Sequence, residues 1–137
     1  MVQLIVGVKG KGKTKVLLDK VNSQIQAVDG NIVYLDKSAK HMYELNNKIR
    51  LINMADYPVK NADAFIGFIL GIISQDNDLQ QMYLDSFLKI ANLEEADITE
   101  TVQKLEEISK DFNVDFTLSV SLDTVPEAIK GNVEVAL

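Results

Sequence analysis

Apolar and polar positions change period several times along the chain, and each change marks an element. Residues 2 to 6 form a short, apolar, β-branched run of strand length. Residues 14 to 29 carry Val16, Leu17, Val21, Ile25 and Val28 at helical spacing. Asp29-Gly30 supplies a turn, and residues 31 to 36 read as a second strand. The polar segment 38 to 48 predicts a short helix or ordered loop. Residues 50 to 55 then read as a strand stopped by Tyr57-Pro58, because the residue before a proline avoids the helical region. An almost wholly apolar stretch at 62 to 75 has helical length, and 81 to 85 looks like another strand. The clearest amphipathic stripe is Ile98, Val102, Leu105, Ile108 and Phe112, which predicts a helix over 98 to 112 with Asp97 and Glu100 at its start. Residues 115 to 122, 124 to 130 and 132 to 137 close the chain as strand, short helix and strand. Such alternation implies an α/β fold: a three-layer sandwich with a mostly parallel sheet of about five or six strands. Ligands of such sheets sit at the carboxyl ends of the strands.

At the carboxyl end of the first strand stands Gly7-Val8-Lys9-Gly10-Lys11-Gly12-Lys13-Thr14, a full match to G-x-x-x-x-G-K-S/T. Each fixed position has a physical task. Gly7 and Gly12 permit backbone angles that turn successive N–H groups around a phosphate. Lys13 brings positive charge to the β- and γ-phosphates, and the Thr14 hydroxyl can ligate magnesium. The helix that follows points its positive end at the same anion. At average residue usage the pattern arises by chance in about one chain in a hundred of this length, or fewer. The alternative is a flexible glycine–lysine turn between strand and helix. Lys9, Lys11 and Lys15 crowd the same loop in a chain of net charge −6, a local basic knot suited to a polyanion.

Composition narrows the partners. A chain of 137 residues suits one domain with a real core. The absence of cysteine excludes a disulfide framework, a thiol nucleophile and a zinc-ribbon site. The acidic balance argues against duplex nucleic acid, which demands a broad basic face. A strand starting at residue 2 leaves no room for a signal peptide, so a cytoplasmic protein is expected.

On the residues of the 7–14 loop the chain resembles the P-loop NTPase superfamily. Its size and the run from Asp36 to Asp85 also look like short ATP-binding proteins of clostridial bacteria that carry a twitching-motility (PilT-like) label. True retraction ATPases are longer and have a histidine-containing segment that this chain lacks. The resemblance implies ATP or ADP with magnesium, held by the 7–15 segment, with Lys13 as the catalytic cation. It also implies an aspartate at a strand end that joins Thr14 in ordering the metal. Asp85, closing Met82-Tyr83-Leu84, fits the RecA-like branch, which is favoured. Asp36, closing Ile32-Val33-Tyr34-Leu35, fits the kinase and GTPase branch and stays open. Either aspartate is also suited to capping a turn. RecA-like ATPases usually place a glutamate next to that aspartate or on the neighbouring strand. Here Ser86 follows Asp85 and Lys37 follows Asp36, so a weak or partner-dependent ATPase, or a nucleotide-state switch, is expected.

Two other functions remain open: a small nucleotide or nucleoside kinase, and a module that grips a phosphorylated ligand without turnover. A single arginine, Arg50, and no arginine-rich lid speak against the kinase. Arg50 reads as a phosphate-stabilising finger or a surface ion-pair partner. Ser119 and Ser121 share one strand face and read as γ-phosphate sensors or as hydroxyls bonded within the sheet. His41, the sole histidine, reads as exposed or locally bonded. No N-T/K-x-D guanine motif occurs, which favours adenine. The apolar run Ala64 to Ile73 is half the length a bilayer needs and reads as burial against the sheet. Its outer face would then be covered by a second copy or a larger protein.

Overall fold

A computed structural model describes residues 1–137. Strands β1 (Val2–Val6), β2 (Asn31–Asp36), β3 (Ile49–Asn53), β4 (Leu79–Leu84), β5 (Asp115–Val120) and β6 (Val133–Ala136) form one six-stranded sheet. The order is β3-β2-β4-β5-β1-β6, and every pairing is parallel. Helices α1 (Lys13–Ser23), α2 (Ala62–Ser74), α3 (Phe87–Ile90) and α4 (Thr99–Phe112) flank it, giving the three-layer α/β sandwich that the alternation predicts.

Handedness decides which element lies on which face. Crossovers between parallel strands are right-handed, so connections running in opposite directions across the sheet must lie on opposite faces. From β1 to β2 and on to β3 the chain moves towards one edge, and α1 and Leu45 of the next connection pack on one side. From β3 to β4, β5 and β6 it moves back, so α2, α3 and α4 take the other. Each face has its own apolar cluster. Leu17, Leu18 and Val21 of α1 pack on Ile5, Ile32, Tyr34 and Tyr83, and the larger cluster on the opposite face includes Phe65, Ile69, Leu105 and Phe116.

The differences from sequence lie at element ends. α1 stops at Ser23, six residues short of the predicted 29, yet Ile25 and Val28 still pack on the same cluster from a turn. Their helical spacing records a shared buried face, which a turn also satisfies. β4 starts at Leu79, earlier than the pattern suggests, and the four-residue α3 has no periodic signal. The expected helix near 124–130 is a 3-10 segment at Glu127–Asn132. The cap on α4 differs from the one expected: Ile98 takes the cap position without a side-chain bond, Asp97 just before it accepts from the Thr99 N–H, and Glu100 pairs with Lys104 instead of closing a capping box.

α2 buries Phe65, Ile69 and Ile73, as the apolar run predicts. Its outward line is small, since Ala64, Gly67 and Gly71 are exposed and nothing lies within 4 Å of where a Cβ would sit at either glycine. No helix is long and apolar enough to cross a membrane. At the amino-terminal edge of the sheet, Gly30 lies against β4. A Cβ there would meet the Asp78 carbonyl oxygen at 2.1 Å, and the Asn31 N–H donates to that same oxygen at 2.7 Å.

Candidate phosphate-binding site

The loop between β1 and α1 emerges at the carboxyl edge, where the sheet's topology favours a ligand. Gly12 caps α1 at φ +91°, and Gly10 adopts φ +88°. Both values lie in the left-handed region that only glycine enters at no steric cost. Gly7 is glycine for a different reason from the one expected. Its φ is not positive, but a Cβ would approach the Leu137 Cβ to 3.1 Å. The N–H groups of Val8, Lys9, Gly10 and Gly12, and those of Lys13 and Thr14 in the first helical turn, find no acceptor in the protein. Six donors gathered at a helix start form a nest for an anion.

Lys13 is buried apart from 8% of its surface, and its Nζ donates to the Val8 carbonyl at 3.1 Å. Burial pushes the ammonium below the ordinary lysine range, and the Asp85 charge partly restores it. Of the other loop lysines, Lys9 lines the pocket. Lys15 points along α1 to Asp19 at 3.2 Å, outside the pocket, and Lys11 does not line it.

Asp85 lies just beyond β4 and is 1% exposed, with both carboxylate oxygens engaged. Oδ1 accepts from the Ser119 hydroxyl at 2.6 Å, the Ser86 N–H at 2.9 Å and the Thr14 hydroxyl at 3.3 Å. Oδ2 accepts from the Tyr34 hydroxyl at 2.8 Å. The Ser86 N–H also donates to the Ser119 oxygen at 2.8 Å. Ser86 itself has φ +54°, an uncommon state for a residue with a Cβ, and it starts α3 from that position. Strain of this sort gathers where surrounding contacts over-determine the backbone.

Asp36 takes another position. β2 and β4 are neighbours, so Asp36 and Asp85 emerge side by side on the same sheet face. Asp36 is 2% exposed; its Oδ1 accepts from the Lys37 N–H at 2.7 Å, while its Oδ2 has no donor. Burial first, and the charge of Asp85 second, raise its pKa above the ordinary carboxylate range. It does not line the pocket, whereas Asp85 does.

The pocket holds about 260 Å³, and no apolar residue lines it. Lys9, Lys13 and Lys37 supply positive charge, Asp85 is its one acid, and Ser86, Ser119 and Ser121 complete the far wall. Ser119 and Ser121 therefore reach the site together, as their alternation predicts. Arg50 does not. It lies on the edge strand β3 beside Phe68 and Ile72 of α2, and makes no ion pair. Neither reading of Arg50 from sequence describes it. His41 is bonded locally to Glu44. Tyr34 escaped the sequence reading, and Ser86 and Lys37 entered it only as residues standing where a glutamate would be expected, not as pocket lining. Tyr34 left a trace: a hydroxyl in an otherwise apolar strand needs a buried partner.

No group of three His, Cys, Asp or Glu residues is placed to hold a metal. What the site offers is one carboxylate and one hydroxyl, Asp85 and Thr14, at the wall of a polar pocket. That donor set fits magnesium, which keeps several waters and takes one or two protein ligands along with phosphate oxygens. A scan against protein-family models finds no match to this chain, and a search of curated proteins finds none either.

Proposed function

We propose that this chain is a small nucleotide-binding protein of the P-loop NTPase type, taking ATP with magnesium and turning it over slowly or only with a partner. One observation carries the reading: the Thr14 hydroxyl meets the Asp85 carboxylate at the mouth of a loop whose amides are free and whose lysine is within reach.

The free N–H groups of Val8, Lys9, Gly10, Gly12, Lys13 and Thr14 would donate to the phosphate chain, and Lys13 would exchange the Val8 carbonyl for phosphate oxygens. A neutral carbonyl is a weaker partner for an ammonium than an anion is, so the exchange is downhill. Thr14 and Asp85 would hold magnesium, which neutralises charge on the outer phosphates. Ser119 orients Asp85 by donating to Oδ1, and Tyr34 fixes the other oxygen. Slow turnover is supported by the lining. Apart from Asp85, no carboxylate faces the pocket to take a proton from water, and the hydroxyls of Ser86, Ser119 and Ser121 are too weakly basic for it.

The test is thermal unfolding of the wild type and Lys13→Ala with ATP, ADP or inorganic phosphate, with and without magnesium. Wild type should gain about 2.7 kcal/mol at a ligand concentration a hundred times Kd. Lys13→Ala should lose that gain yet unfold normally without ligand. The wild type should turn over fewer than about one ATP per second, below the usual enzyme range. No stabilisation of the wild type by millimolar magnesium–ATP sinks the proposal.

A further inference from the structure

Beside the phosphate pocket lies a second cleft, and Lys37 lines both. It is formed where the chain leaves β2 and β3 and by the last two residues of α3, so it too opens at the carboxyl edge of the sheet. Its walls differ sharply from those of its neighbour. Met54, Tyr57, Val59 and Ile90 make it largely apolar, and Lys37 and Lys89 supply the charge. The Tyr57 ring tilts against Phe68 of α2 with centroids 5.4 Å apart, which ties that wall to the core.

Size and charge together restrict the occupant. The cleft holds about 160 Å³, close to the roughly 150 Å³ apolar cavity that admits a benzene ring. Neither Lys37 nor Lys89 forms an ion pair, although the chain carries 20 acidic side chains. Two uncommitted ammonium groups at the rim of an apolar cleft repel cations and attract anions. Bare phosphate would leave the apolar walls without a partner.

We propose that this cleft binds a small organic anion, its single ring or comparable apolar group between Met54, Tyr57, Val59 and Ile90 and its charge at Lys37 and Lys89. The lining alone supports the ligand class. That the ligand would sit next to the outermost phosphate of a bound nucleotide rests on the function proposed above, because Lys37 is common to both pockets.

The probe is phenyl phosphate, titrated into the full chain saturated with ADP and magnesium and followed by amide NMR. Inorganic phosphate and benzyl alcohol are the comparisons. Shifts should appear at Tyr57 and Ile90, with phenyl phosphate binding roughly tenfold tighter than either comparison, since each lacks one half of the contact. Ala55→Trp, which fills the cleft from its exposed rim, should abolish those shifts while ADP still binds. Lys89→Glu should weaken them. Shifts confined to Gly10–Thr14, equal binding of inorganic phosphate, or an Ala55→Trp variant that binds normally would each overturn the proposal. If ADP does not bind, the nucleotide reading has failed by itself. The titration is then run without ADP, and the Tyr57 and Ile90 signals decide the cleft on their own.

Discussion

Thr14 and Asp85 lie 71 positions apart in sequence, yet the hydroxyl of one donates to the carboxylate of the other at 3.3 Å. If this pair holds magnesium, Thr14→Ala and Asp85→Asn should each weaken magnesium–ATP binding by roughly tenfold or more. Binding of metal-free ATP should change little in Thr14→Ala. Calorimetric titration with and without EDTA separates the two contributions, and equal losses in both conditions would rule out the metal role.

Ser119 holds two partners in place. It donates to Asp85 and accepts from the Ser86 N–H. Ser119→Ala removes a buried hydroxyl from this network and should destabilise the fold by about 1–3 kcal/mol. Tyr34→Phe should cost a similar amount, because it strips the donor from Asp85 Oδ2. Urea unfolding of the two variants and of the double variant measures both losses. The double should fall short of additive, since both act on one carboxylate.

Gly12 caps α1 from the left-handed region. At φ +91°, an alanine is strained by about 1–2 kcal/mol. Gly12→Ala should lower the unfolding midpoint and abolish stabilisation by ATP. Gly131→Ala is the control: its φ is not positive and nothing lies within 4 Å of its would-be Cβ, so its midpoint should stay put.

Asp36 makes stability depend on pH. Burial, then the Asp85 charge, raises its folded pKa above the ordinary value. Between that ordinary value and the raised one, the native state binds more protons than the unfolded chain, so stability falls as pH rises. Asp36→Asn removes this slope. The variant should be more stable than wild type at about pH 8, by on the order of 1 kcal/mol, and the gain should vanish below the ordinary carboxylate range. Chemical denaturation across pH reads it directly, and a flat difference between the two proteins would refute it.

Much of this was legible in the sequence, for identifiable reasons. The strand–loop–helix context of residues 7–14 was legible because its pattern is local: fixed residues at fixed spacing, framed by β1 and α1. The strands β2 and β5 were placed from runs whose alternation or apolarity survives in the buried faces. What stayed hidden depends on who neighbours whom. Nothing in the sequence says that β2 abuts β4, so the nearness of Asp36 and Asp85, and the raised pKa that follows, could not be foreseen. The strained turn at Ser86 was equally silent, because it is imposed by Asp85 and Ser119 rather than by the residue's own preference. The choice between the two aspartates is a case in point. Sequence left both open, and the fold puts only Asp85 within reach of Thr14 and the pocket.

Gly30 sits at the end of the sheet remote from the loop, where a mere methyl group would collide with the Asp78 backbone. A missing side chain there sets how tightly the feet of two strands are laced together. Those strands run on to Asp36 and Asp85, and any residue larger than glycine at position 30 would have to part them where they begin.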